Sequence, residues 1–175
     1  VAASSREDVG RLKGLAEALR GERYRRAVLL GMGGSSLAPE MFGKTFGAAP
    51  GYLEVTVIDS TDPAFILSVD RQLDYSKTVF IVSTKSGGTV ETLSFFKYFY
   101  NRTVEAVGAE SAGEHFLAIT DPSSKLADLA GRYKFRDTFL NDPDIGGRYS
   151  ALSYFGLVPA ALLGIDLGLL LDRAM

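Results

Sequence analysis

The sequence contains no cysteine, which removes a disulfide framework, a thiolate nucleophile and thiolate metal ligands together. Histidine occurs once, at His115. With no partner at metal-ligand spacing, that residue reads as structural, and no metal is expected. Positive charge is not in excess: 19 Lys and Arg face 21 Asp and Glu, for a formal net charge of -2. No basic stripe stands out, so a nucleic-acid surface is not expected. Long apolar runs are missing too. The one candidate for a membrane span is Ala151–Ile165, fifteen residues without a charge, short of the roughly 20 needed to cross a bilayer. Gly156, Pro159 and Gly164 are expected to interrupt it and Asp166 to end it, so it reads as a buried helix and no membrane partner is expected. There is no basic-then-apolar signal segment, no internal repeat and no low-complexity tract.

What is present suits a globular α/β domain. The chain has 175 residues, 46% of them apolar and 23% charged, enough for one domain with a sizeable core. It opens on Val1 and closes on the apolar "LGLLLDRAM", which reads as a piece cut from a larger protein. A cytoplasmic setting is expected. Short β-rich runs alternate with helical patterns. "RAVLLG" (Arg26–Gly31), "LEVTVID" (Leu53–Asp59), "KTVFIVS" (Lys77–Ser83), "HFLAIT" (His115–Thr120) and "FRDTFLN" (Phe135–Asn141) read as strands, the third apolar enough to be buried on both faces.

Helix starts are marked by Ser35 or Ser36, by Thr61 or Asp62 ahead of Pro63, and by Asp121-Pro122. The longest helix is expected from about Thr89 to Val107, with Leu93, Phe96, Tyr100, Val104 and Val107 on one face and Phe95 and Phe99 broadening it. An amino-terminal helix, Ser5 to Arg20, carries Val9, Leu12, Leu15, Ala16 and Leu19. Alternation of this kind predicts a parallel sheet with helices on both faces. Ligands in such sheets bind at the carboxyl ends of the strands, where the strand order reverses. That rule selects the loops after Leu30, Ile58 and Val82.

The loop after Leu30 is "GMGGSSLAPE", Gly31–Glu40. Glycines before a helix let backbone amides face an anion. A dinucleotide fingerprint fits poorly, because Ser36 stands at the third glycine position and Asp59 lies 28 residues beyond Gly31 rather than about 20. A tight turn without a ligand is the plain alternative. The loop after Val82, "STKSGGT", is no Walker A sequence, since its lysine precedes its glycines. Its chemistry suits a phosphate: hydroxyls from Thr84, Ser86 and Thr89, a compact cation in Lys85, and the amides of Gly87 and Gly88 at a helix start. A serine-rich cap would explain one hydroxyl but not four such residues in a row. A third motif, "GGRYS" (Gly146–Ser150), places the Arg148 guanidinium where two glycines allow close approach. Asp142 and Asp144 around Pro143 read as turn acids.

In this order the three motifs resemble the sugar isomerase (SIS) domain family, in the form found in glucose-6-phosphate isomerases. "LLGMGGSSLAPE" resembles the glycine-serine signature of the first strand, "VSTKSGGTVET" the phosphate loop, and "GGRYSALSYFGLVPAALLGID" the arginine motif and its helix. The likeness spans about Ala27 to Asp166. "STKSGGTVETLSFFKYFYN" is closer to bacterial forms, including those fused to transaldolase, although the chain itself contains no transaldolase part. The loop departs from the commoner form by having Gly87 and Gly88 where bulkier residues are usual. The resemblance implies a three-layer αβα sandwich with a five-stranded, mainly parallel, flavodoxin-like sheet. It also implies interconversion of glucose 6-phosphate and fructose 6-phosphate through a cis-enediolate, in glycolysis and gluconeogenesis, without a cofactor. Thr84, Lys85, Ser86 and Thr89 would hold the sugar phosphate, Gly34 and Ser35 would touch the substrate, and Arg148 would stabilise the enediolate.

The resemblance further places the proton-shuttling glutamate and the ring-opening histidine in a second SIS domain that follows this segment. The expected organisation is therefore a helix over 1–22, an SIS domain over 23–165 and the start of a linker helix over 166–175. The isolated chain is expected to bind sugar phosphates weakly without turning them over. Its partners would be that second domain and a further copy of itself, because the run Leu157–Leu171 would otherwise be exposed. The alternatives are a non-catalytic SIS module that senses a phosphosugar, and a nucleotide-binding oxidoreductase domain that would leave the phosphate loop idle.

Overall fold

Five β-rich runs become the five strands of one sheet. In the computed structural model, which describes residues 8–174, β1 is Arg26–Gly31, β2 Glu54–Ile58, β3 Thr78–Ser83, β4 Phe116–Thr120 and β5 Asp137–Leu140. Every pairing is parallel and the order is β2-β1-β3-β4-β5, as in a flavodoxin-like sheet. The order reverses between β1 and β3. β3 is buried along its whole length, because helices cover both of its faces.

Eight helices surround the sheet among the described residues: α1 Val9–Gly21, α2 Leu37–Phe46, α3 Pro63–Asp70, α4 Val90–Val107, α5 Ala109–Ala112, α6 Lys125–Arg132, α7 Tyr154–Leu163 and α8 Leu167–Arg173. Strand alternation divides the core in two. Leu29, Ile81, Leu117 and Phe139 pack with α1, α2, α7 and α8. Val28, Leu30, Phe80, Val82 and Phe116 pack with α3, α4 and α6. The second half is aromatic: Phe80 stacks on Phe116 and Phe99 with centroids 5.0 and 5.2 Å apart, a geometry worth more than area burial alone.

Several expectations from the sequence are corrected. The Ser5–Glu7 part of the amino-terminal helix lies outside the described residues, and the helix that is described starts at Val9. In α4 the buried face is rotated from the expected stripe and centres on Thr92, Phe95, Phe96, Phe99 and Thr103. Two threonines sit on it, which apolar periodicity could not pick out. Thr103 is buried without penalty because its hydroxyl donates to the Phe99 carbonyl at 2.7 Å. Asp62 caps α3 as expected, accepting from the Ala64 amide at 2.9 Å. Ser124, not Asp121, caps α6, accepting from the Ala127 amide at 3.1 Å. Gly156 and Pro159 do not interrupt α7, which runs on to a left-handed Gly164.

The run Leu157–Leu171 is also not an exposed patch. Leu157, Val158, Ala160, Leu162, Leu163, Leu167 and Leu171 lie in the domain's own core against α1, α2 and the sheet, and Leu169 is the large side chain of the run left exposed. The buried residues of this run are therefore no ground for the expected self-association. His115 is structural: it is buried, its Nδ1 is 3.0 Å from the Thr78 carbonyl, and its ring lies against Tyr24.

Candidate functional site

Thr84 directly follows β3 and is only 3% exposed, so its side chain is aimed by the sheet rather than by solvent. Its hydroxyl lies 3.0 Å from that of Thr89. The loop between them is fixed from β4: the Thr84 amide donates to the Ile119 carbonyl at 3.1 Å, and the Lys85 carbonyl accepts from the Asp121 amide and the Thr120 hydroxyl at 3.2 Å each. Gly87 has φ +68°, and a Cβ there would stand 2.5 Å from the Leu126 amide nitrogen. The loop thus crosses the start of α6 at a distance only glycine permits. Ser86 stays exposed, with its Oγ accepting from the Gly88 amide at 3.3 Å.

Among the described residues, the side chain at the capping position of α4, Thr89, makes no capping hydrogen bond. The Thr89 hydroxyl, at the capping position, is turned to Thr84 instead. The first-turn amides of an eighteen-residue helix therefore open toward this loop with the positive end of the helix dipole behind them. A hydroxyl spent on capping would have closed that end.

The loop after β1 forms a 3-10 turn, Gly33–Ser35. The Ser36 hydroxyl donates back to the Gly33 carbonyl at 3.0 Å, closing the turn on itself. Gly34 meets the turn that contains "GGRYS": a Cβ on Gly34 would lie 2.8 Å from both Cα and the carbonyl oxygen of Gly147. Ser150, 2% exposed, ties the two together, its hydroxyl reaching the Gly34 carbonyl at 3.0 Å and the Gly147 carbonyl at 2.6 Å.

These loops enclose a cavity of about 340 Å³ at the carboxyl edge of the sheet. It is lined by Gly34, Ser35, Thr84, Lys85, Ser86 and Thr89, joined by Met32, Asp121, Gly147 and Phe155. Six of the seven residues singled out from the sequence are brought together here. The seventh, Arg148, follows Gly147 but does not line the cavity. It is exposed, and its guanidinium makes no hydrogen bond or ion pair with a described residue. The loop after Ile58 takes no part. A cavity of similar size beside α8, lined by Phe46, Leu163, Leu169 and Leu170 among others, is apolar and contains none of the seven.

The residue that sequence reasoning missed is Asp121. Its Oδ2 lies 2.9 Å from the Lys85 ammonium, which also donates to the Pro143 carbonyl. Its Oδ1 is buried with no hydrogen-bond partner among the described residues. Asp121-Pro122 read as a helix start, and the one signal that could have flagged it was its place directly after a strand on the carboxyl edge of the sheet. Asp142 accepts from the Asp144 amide at 2.9 Å, as a turn acid does. No cluster of three or more His, Cys, Asp or Glu able to hold a metal occurs among the described residues, and none of their helices is long and apolar enough to cross a membrane.

The family model described as "Phosphoglucose isomerase" matches residues 6–171. A glucose-6-phosphate isomerase of Corynebacterium glutamicum (strain R) is 34% identical over 177 residues, covering 94% of this chain and 32% of that protein. The crystal structure of a hypothetical protein from Thermus thermophilus superimposes with a TM-score of 0.79 at 32% identity, over 95% of this chain and 41% of that one. That of a glucose-6-phosphate isomerase from Chlamydia trachomatis gives 0.80 at 26% identity, over 95% and 31%. The chain spans about a third of the length of the curated relatives it matches.

Proposed function

The chain belongs to the phosphoglucose isomerase family, and on that premise we propose that it is the amino-terminal phosphosugar-binding domain of a glucose-6-phosphate isomerase. The observation that carries this reading is the cavity in which Thr84, Lys85, Ser86 and Thr89 meet the uncapped start of α4. Hydroxyl donors, one ammonium and free helix amides are what a phosphate monoester needs from a site. Gly34 and Ser35 contact the sugar from the facing loop. Arg148 stabilises the negative charge of a cis-enediolate as a proton moves between C1 and C2.

That proton needs a base within hydrogen-bond reach. Asp121 is the one carboxylate among the described lining residues, and Lys85 holds it at the phosphate end of the cavity. The base therefore comes from the rest of the enzyme, a second SIS domain, and the 175-residue chain binds sugar phosphates without turning them over. In this reading residues 1–22 precede the SIS unit of 23–165, and 166–175 lead toward the second domain. The full enzyme is cytoplasmic and, when complete, associates as a homodimer.

A second reading, a phosphosugar sensor without chemistry, draws on the position of Arg148 outside the cavity lining. Calorimetric titration with glucose 6-phosphate, inorganic phosphate and glucose separates the possibilities. Phosphorylated ligands should bind, glucose should not, and Lys85→Ala should weaken binding at least tenfold, the scale of one charged hydrogen bond of about 1.5–3 kcal/mol. Equal binding of glucose, or indifference to Lys85→Ala, would remove the phosphate clamp. In the chain extended through its second domain, Arg148→Ala should abolish turnover and leave phosphate binding in place. A sensor would show no turnover to lose.

A further inference from the structure

We propose that Asp121 is a counter-charge built into the phosphate cradle, so that ligand entry exchanges one partner of Lys85 for another instead of filling an empty cationic site. The proposal rests on the phosphate reading above. Three observations support it. The Lys85 ammonium is not free: it contacts Asp121 Oδ2 at 2.9 Å and the Pro143 carbonyl, so two loops that follow different strands hold it. Asp121 is anchored where it can do this, since its amide donates to the Lys85 carbonyl and its side chain is only 16% exposed. And Asp121 Oδ1 is buried without a hydrogen-bond partner among the described residues.

A carboxylate with one buried oxygen left unpaired is destabilising for the fold by itself. The packing of the cavity does not require it, because α6 is capped by Ser124 and the loop crossing is made by Gly87. What the carboxylate does is electrostatic. It orients the ammonium, leaving one of the three N–H donors for a ligand, and it stands as a negative charge beside any phosphate that enters. Repulsion between that charge and the ligand lowers affinity. After the ligand leaves, the same carboxylate takes the ammonium back, which eases release. Asp121 thereby sets the working affinity of the cradle.

The test is titration of the 175-residue chain and its Asp121→Asn variant with inorganic phosphate and glucose 6-phosphate at two salt concentrations. Asparagine keeps the shape and an acceptor oxygen for Lys85 while removing the charge. Inorganic phosphate should bind roughly tenfold more tightly to Asp121→Asn, a factor equal to about 1.4 kcal/mol. The salt dependence should become steeper, because the cradle then carries an uncompensated cation. Asp121→Ser repeats the test should the amide not be tolerated. In a Lys85→Met background, where the carboxylate stands alone, adding Asp121→Asn should recover part of the lost binding. If the unsubstituted chain binds phosphate and the charge-removing variants, with melting temperatures unchanged, bind it equally or more weakly, the counter-charge is overturned and the cradle stands. If neither the chain nor any variant binds phosphate, the phosphate reading falls and takes this one with it.

Discussion

Replacing Gly87 by alanine isolates how the phosphate loop is held. Gly87 has φ +68°, and a Cβ built on it meets three atoms of the α6 start: the Leu126 amide nitrogen at 2.5 Å, the Lys125 amide nitrogen at 2.9 Å and Ser124 Cβ at 3.0 Å. Holding an L-residue in the left-handed region costs roughly 1–2 kcal/mol. Two of the three atoms are backbone, so relief requires moving the first turn of α6 or the loop itself, and forced overpacking of this kind costs typically about 1–3 kcal/mol. Together these give about 3 kcal/mol, a large share of the 5–15 kcal/mol that a domain has. The melting temperature should fall by about 6–12 °C for a domain of this size.

Gly88→Ala is the control. A Cβ there comes no nearer than 3.9 Å to the Ser86 Oγ, and its effect should stay within about 0.5 kcal/mol. Urea titrations of both variants, followed by phosphate titration of whichever is folded, measure the difference. Gly87→Ala should also weaken phosphate binding, because the loop cannot move off α6 without shifting Ser86 against Thr84. Equal stability of the two variants would refute the close crossing, and with it the claim that this loop is rigid before ligand arrives.

Further expectations follow from the same geometry. Ser150→Ala removes the hydroxyl that joins the Gly34 and Gly147 carbonyls; denaturation should show a loss of about 1–2 kcal/mol, and in the two-domain enzyme turnover should fall more than phosphate affinity, because the tie holds the Arg148 turn. Glu22 takes two hydrogen bonds from the Arg136 guanidinium at 2.8 and 2.7 Å, which hold its carboxyl below the usual value of 4.5. That lowered value stabilises the fold above about pH 4.5, and the contribution is lost as pH falls through the folded value. Glu22 is the exposed member of the pair, so the effect should be under about 1 kcal/mol; stability measured at pH 6 and pH 3 should differ less in Glu22→Gln than in the unsubstituted chain.

Much of the fold could be read along the chain. All five strands lie where β-rich runs stood between turn signals, and parallel pairing followed from their alternation with helices. These are local properties, since side-chain period and turn chemistry are written in neighbouring residues. The phosphate loop was legible for the same reason: "STKSGGT" places its hydroxyls, cation and glycines within seven residues. What failed were inferences about surroundings. The stripe on α4 was misplaced because two threonines are buried there, one of them using its own helix backbone as partner. The Leu157–Leu171 run looked sticky because its cover, α1 and α2, comes from more than a hundred residues earlier in the chain.

The sequence by itself determined the strands, the order of the three motifs and the residue types that can hold a phosphate. Tertiary structure alone decided which of them meet. It set Gly34 against Gly147, left Arg148 outside the lining, and gave Lys85 its partner in Asp121, 36 residues away in the chain. The reason is physical. A parallel sheet carries the carboxyl ends of β1, β3 and β4 to one edge whatever their separation in sequence, so contacts made there depend on strand order and register, which no local pattern encodes.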